Sequence, residues 1–200
     1  MKPCIVALDA GTTSVKVCLF TPELALLACS VREYALRTQG ERVEADGEQY
    51  LAGIREGLAE ARAAVPDYEV AAIGLTTQGE TLAPVDADGE PLRPFLVWLD
   101  GRAEAEADVL RPLLPIDAFY RETGLPEVSG ALPLAKLLWL RRNEPDIFAR
   151  AHRFLLLEDY LLHRLTGRFV SEKSLQTSTG WFSLRRDDLW PEALEAVGVA

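Results

Sequence analysis

Histidine, cysteine and methionine are scarce in this chain, at two, three and one in 200 residues. With only His152 and His163 available, a zinc site or a catalytic triad would need both in special places, and each reads first as a surface or helix-flank histidine. Cys4, Cys18 and Cys29 show no metal-ligand spacing, and their odd number does not suggest a disulfide framework. A reducing, cytoplasmic location fits them best. Positive charge is also short: 21 Lys and Arg against 31 Asp and Glu leave a net charge of −10. That balance, with no basic stripe and no interleaved aromatics, argues against sequence-independent nucleic-acid binding. No apolar run approaches the ~20 residues of a membrane span, and the run at the N-terminus stops at Asp9, unlike a signal peptide. What remains is 48% hydrophobic and 26% charged, an ordinary folded composition. The length suits one sizeable domain, or one domain with appended helices.

Two common phosphate loops are missing as well. Neither GxxxxGK[ST] nor GxGxxG occurs, and both would open a helix onto the phosphate. Instead Ile5 to Phe20 reads IVALDAGTTSVKVCLF: an apolar run into Asp9, a glycine, hydroxyls, then β-branched residues alternating with Lys16 and Cys18. That is strand, tight polar turn, strand. Such a turn can aim backbone N–H groups and the hydroxyls of Thr12, Thr13 and Ser14 at an anion, with Lys16 adding positive charge nearby. Asp9 offers a hard oxygen suited to Mg²⁺ or its waters. The stretch is either a β-hairpin phosphate clamp of the actin-like and hexokinase-like kind or an ordinary hairpin with a polar tip.

Downstream, Leu24 to Val31 predicts a third antiparallel strand. Asp46, with Gln49 three positions on, predicts a helix cap, and Leu51, Ile54, Leu58, Ala61 and Val65 give the helix one buried face until Pro66 ends it. Val70 to Leu75 reads as a buried strand leading into the polar loop 76–81. A second hairpin joins Leu82–Val85 to Phe95–Leu99 through Asp86-Ala87-Asp88-Gly89. Helices follow over 103–110, 116–122, 134–142 and 146–151. Phe154–Leu157 reads as another buried strand, and Gly167 closes a helix begun near Tyr160. Ser171 to Gly180 is a hydroxyl-rich loop and 191–197 a last short helix. This order predicts an α/β chain with a mixed five-stranded sheet, helices on both faces and an inserted hairpin, the ribonuclease H-like architecture, with its core complete within these residues.

Several stretches fall at strand ends or in loops, where ligands usually bind: LDAGTTSVK at 8–16, GLTTQGET at 74–81, VWLDGRA at 97–103, TGLPEVSGALPLAKLLWLRRNEP at 123–145 and LEDYLLHRLTGRFVSEKSLQTSTG at 157–180. In this order they resemble the N-terminal domain of the FGGY family of carbohydrate kinases, which includes xylulokinase and glycerol kinase. The resemblance runs nearly end to end, so 1–200 is read as one such domain. It implies Mg·ATP-dependent phosphorylation of a sugar or polyol. Asp9 would be the Mg²⁺-side carboxylate, and Gly11, Thr12, Thr13, Ser14 and Lys16 the nucleotide-phosphate contacts. Gly79 and Glu80 match the positions where glycerol kinase carries an Arg-Glu pair and xylulokinase Met-His. Trp98 matches the aromatic that packs on the carbon skeleton of the substrate.

The same residues admit plainer roles: Glu80 a solvated carboxylate, Trp98 a core aromatic at a strand end, Gln78 a loop holder, and Asp100 with Arg102 a structural pair, which is the favoured reading for those two. Ala131, where glycerol kinase has a tyrosine, weakens a glycerol reading, and Ser171-Glu172-Lys173-Ser174 replaces the family's Thr-Asp-Tyr-Ser. A ketose such as a pentulose is therefore expected first, with glycerol or another polyol as alternative. In the family the catalytic base and the adenine site lie in a second domain, so no catalytic base is expected in this chain, and alone it is expected to be inactive. Its expected partners are the sugar, the missing C-terminal kinase domain and, through a face that domain would cover, further copies of itself. A non-catalytic sugar-binding or partner-binding module is the reading from another class.

Overall fold

Cys4, Val6, Leu8 and Ala10 alternate with less buried residues, as do Val15, Val17 and Leu19, and all seven are buried. In the computed structural model, which describes residues 1–199, this alternation forms β1 (Lys2–Ala10) and β2 (Ser14–Phe20), antiparallel, with Asp9 opposite Lys16. β3 (Leu26–Glu33) continues the meander on β2. Two short polar strands, β4 (Arg37–Gln39) and β5 (Arg42–Ala45), precede α1 (Gly47–Ala64), and β6 (Tyr68–Thr77) then runs parallel to β1.

The chain divides into two compact units. The first comprises Met1–Leu36 and Ala45–Gln78. Its sheet has the order β3-β2-β1-β6, with α1 packed on β2 and β3. Asp46 caps α1 as its sequence predicts, accepting from the Glu48 N–H at 3.0 Å. The helix buries Tyr50, Leu51, Ile54 and Ala61, and also Gly53 and Gly57. Those glycines let it lie close on the sheet: a Cβ at Gly57 would sit 2.8 Å from Val17 Cγ2.

The second unit comprises Arg37–Glu44 and the chain from Gly79 onward. The predicted hairpin is present as β7 (Leu82–Val85) and β8 (Phe95–Leu96), with Gly89 at φ +81° in its tip. Helices α2 (Glu104–Leu110), α3 (Ile116–Thr123), α4 (Pro133–Asn143) and α5 (Pro145–Arg150) lead to β9 (Arg153–Leu156). α6 (Leu157–Thr166) ends at left-handed Gly167. α7 (Lys173–Gln176), a small hairpin of β10 (Phe182–Ser183) and β11 (Asp188–Leu189), and α8 (Pro191–Val197) complete it. The core gathers α4 with Leu82, Leu96, Leu110, Phe119, Trp181 and Trp190.

The mixed α/β architecture matches expectation, but the strands are distributed differently. The mixed sheet has four strands, because the segment read as its fifth, β9, pairs antiparallel with β7. That pairing places it in a separate sheet of order β4-β5-β8-β7-β9. β6 pairs only with β1 among the described residues, and Ala71–Gly74 lie exposed along it, so the core is not closed at that edge. The loop 171–180 contains α7, whose cap is Glu172: its longer side chain still reaches the N–H groups of Ser174 and Leu175, at 2.9 and 3.2 Å. The cysteines also depart from expectation. Cys18 and Cys29 face each other across β2 and β3 and are joined by a disulfide, while Cys4 is free and buried. No described helix is long and apolar enough to cross a membrane.

Candidate functional site

In the first unit the turn between β1 and β2 is closed by Gly11 N–H donating to the Ser14 carbonyl at 3.0 Å. Thr13 is exposed, while Gly11, Thr12 and Ser14 are half-buried. Register places Asp9 and Lys16 on one side of the hairpin, where the ammonium lies 3.4 Å from the carboxylate. Both side chains stay about half open to solvent, at 44% for Asp9 and 53% for Lys16, so a phosphate or its metal can compete for either. Gly11 keeps an ordinary backbone conformation with room for a Cβ; nothing steric demands glycine there.

Tyr34, which the sequence did not single out, holds this turn from below. Its hydroxyl donates to the Gly11 carbonyl, its N–H to the Thr13 carbonyl at 3.0 Å, and its ring meets Tyr50 edge to face at 5.0 Å. Burial, with the charges of Tyr50 and Asp9, drives the Tyr34 phenol far above its ordinary range, so it remains a donor. Burial likewise pushes Tyr50 up to about 12. Gln78 acts as a loop holder: its N–H bonds the Ala10 carbonyl at 3.0 Å and its amide nitrogen the Tyr50 hydroxyl at 2.9 Å.

In the second unit Glu80 sits at φ +56°, a left-handed conformation uncommon outside glycine. Burial raises its carboxyl above the usual range, opposed by the charge of Lys136, and that carboxylate has no hydrogen bond among the described residues. Beside it, a Cβ at Gly79 would meet Ser178 Oγ at 3.5 Å and Leu175 Cδ2 at 3.7 Å. The tail loop therefore borders the open space beside Gly79. The strand expected to run through Leu99 ends at Leu96, and Trp98 stands in the turn after it, 39% exposed. It is not a core residue. Its N–H bonds Thr81 Oγ1 at 3.1 Å, linking the turn to the residue after Glu80.

Asp100 and Arg102 form the structural pair their sequence favoured. Asp100 is fully buried. It accepts from Val43 N–H at 2.6 Å, Arg102 N–H at 3.1 Å, Arg102 Nε at 2.8 Å and Arg102 Nη2 at 2.7 Å. Arg102 also reaches Glu44 at 2.7 Å and lies over the Trp139 ring. With its acceptor positions occupied, Asp100 has none left for a ligand.

The sequence profile of the FGGY family of carbohydrate kinases, N-terminal domain, matches residues 4–200. The chain belongs to this family. Among FGGY relatives, the xylulose kinase of Escherichia coli (strain K12) is 30% identical over 94% of this chain and 38% of its own length. The glycerol kinase of Janthinobacterium sp. (strain Marseille) is 32% identical, over 98% of this chain and 41% of its own. A solved gluconate kinase from Lactobacillus acidophilus superposes with a TM-score of 0.93 at 25% identity, over all of this chain and 40% of that one. This FGGY chain thus spans about two fifths of the length of these relatives.

Proposed function

We propose that this chain is the N-terminal portion of an ATP-dependent kinase that phosphorylates a hydroxyl of a ketose, a pentulose first, in the cytoplasm. Its first unit would supply the first phosphate clamp through Gly11, Thr12, Thr13, Ser14 and Lys16. Its second unit would supply most of the sugar pocket through Gly79, Glu80 and Trp98. The observation that carries this reading is that Trp98, 39% exposed, is tied by its backbone N–H to Thr81, the residue after Glu80, whose half-buried carboxylate accepts no hydrogen bond among the described residues. An aromatic face receives the C–H side of a sugar, and a carboxylate accepts from its hydroxyls.

Mg²⁺ usually takes one or two carboxylates and completes its shell with phosphates and water. Asp9, half exposed beside the clamp, fits that share. The described residues hold no cluster of three or more metal-ligating side chains, so a cation here would arrive with its nucleotide. The base that takes the hydroxyl proton, and the adenine site, are assigned to a further domain of the kind that fills the rest of the relatives' length.

Turnover of Mg·ATP against a panel of ketoses and polyols, read as sugar-dependent ADP release, tests this. The chain alone is expected to be silent while Trp98 fluorescence reports weak sugar binding. The chain joined to an FGGY second domain is expected to turn over, and Asp9→Ala to abolish it. Sugar-dependent ADP release from the chain alone would overturn the half-enzyme reading, and absence of binding to every sugar tested would overturn the pocket.

A further inference from the structure

α4 is buried continuously from Pro133 to Leu140, only its last turn being exposed, and a lysine stands among the buried residues. Lys136 is 0% exposed and cannot snorkel to water. Its ammonium donates to the Val97 carbonyl at 2.8 Å and to the Glu80 carbonyl at 3.3 Å. These carbonyls belong to Glu80 itself and to the residue just before Trp98. Asp100, Glu80 and Arg102 are the charged groups whose fields it feels, yet it forms no ion pair among the described residues, because Asp100 is already saturated by Arg102 and Val43.

An ammonium buried this way costs several kcal/mol unless its bonds repay it. An apolar side chain of the same length would fill the volume without that cost, so packing alone gives no reason for a lysine. Glu80 supplies a second observation. Its left-handed backbone persists only where surrounding groups over-determine it, and the Lys136 bond to its carbonyl is one such group.

We infer that Lys136 is the positioning residue of the sugar pocket, one buried ammonium pinning the backbone under Glu80 to the backbone under Trp98, so that carboxylate and indole are presented together. The inference deepens the proposed function and rests on it for the word sugar, while the pinning itself does not.

The test compares wild type with Lys136→Met and Lys136→Gln, the latter keeping an N–H donor. Amide exchange at Gly79–Thr81 and Val97–Leu99 is measured beside that of the β7–β9 pairing. Binding of xylulose, gluconate and glycerol is followed by the emission of Trp98, the tryptophan most open to solvent. Lys136→Met is expected to stay folded with unchanged exchange at β7–β9. The two loop segments should exchange roughly tenfold faster and sugar binding weaken by roughly tenfold, as loss of a charge-assisted bond implies. Lys136→Gln should fall between, and it carries the comparison if the Met variant does not fold. Unchanged exchange in both loops would overturn the inference. Faster exchange with no sugar bound by wild type would uphold the pinning and overturn the proposed function. Sugar bound equally by all three proteins would uphold the function and overturn the inference.

Discussion

The Tyr34 hydroxyl is bonded to the Gly11 carbonyl across 23 positions of sequence, fixing the third strand's end beneath the turn that precedes Ser14. The same oxygen lies 3.4 Å from the Ser14 carbonyl, so one phenol serves both ends of the loop. Tyr34→Phe keeps the ring on Tyr50 and removes only the donor. It should cost about 1 kcal/mol in a denaturant melt, the net worth of such a bond, with faster amide exchange confined to residues 12–14. Exchange at wild-type rates there would show that Gly11 N–H and Ser14 close the turn without help.

Gly57 lies where α1 approaches Val17, and the conflict of two effects sets the outcome of Gly57→Ala. Alanine favours a helix interior by roughly 1 kcal/mol over glycine. A Cβ only 2.8 Å from Val17 Cγ2 overpacks the interface, typically at about 1–3 kcal/mol. The variant should be less stable by about 1 kcal/mol, and Val17→Ala in the same chain should recover part of it. A more stable single variant would mean that α1 lifts from β2 easily.

Much of this was legible in sequence because local pattern and final structure agree. The alternation through Cys4–Ala10 and Val15–Leu19, the Asp46 cap, and Gly167 after α6 are short-range signals that tertiary contacts did not override. Phe154–Leu157 was legible as a strand, but an apolar run states burial and not partner, and its partner proved to be β7. β4 was illegible: Arg37–Gln39 is exposed throughout and shows no alternation. At the candidate site, Glu80 and Trp98 were found by resemblance to a family. Tyr34 and Lys136 were missed since their roles are made by contacts far along the chain, from Gly11 to Tyr34 and from Glu80 to Lys136. On α4, where every position from 133 to 140 is buried, no face distinguishes the lysine.

The Cys18–Cys29 disulfide closes a loop with a sequence separation of 11, and Cys29 is exposed to reductant. A crosslink over a loop of that size is worth up to about 3 kcal/mol through the unfolded chain. Dithiothreitol, or Cys29→Ser, should lower the unfolding midpoint accordingly, and mass spectrometry after thiol alkylation should find Cys4 alone unbridged. Two free thiols at 18 and 29 in protein taken directly from cells would match the cytoplasmic reading, with the bridge forming on exposure to air.

Asp159 is nearly buried at the start of α6, and its carboxyl accepts the Leu156 N–H at 3.2 Å. Burial first, and then the charge of Glu172, raise it to about 6, while the Ser171 hydroxyl and the Leu156 N–H pull the other way. The folded protein therefore holds this proton over a range, from about pH 4 to 6, in which the unfolded chain has released it. Through that window the native state binds more protons, so this group's contribution to stability falls as pH rises and its full penalty stands above about pH 6. Asp159→Asn keeps an acceptor for Leu156 and offers its amide to Ser171 without the buried charge. It should be more stable than wild type by about 1–3 kcal/mol at pH 7.5, with the difference closing below about pH 4 in melts taken across the range. A variant less stable than wild type at pH 7.5 would mean that neighbouring donors hold the Asp159 charge favourably, and that the pH dependence near neutrality originates elsewhere.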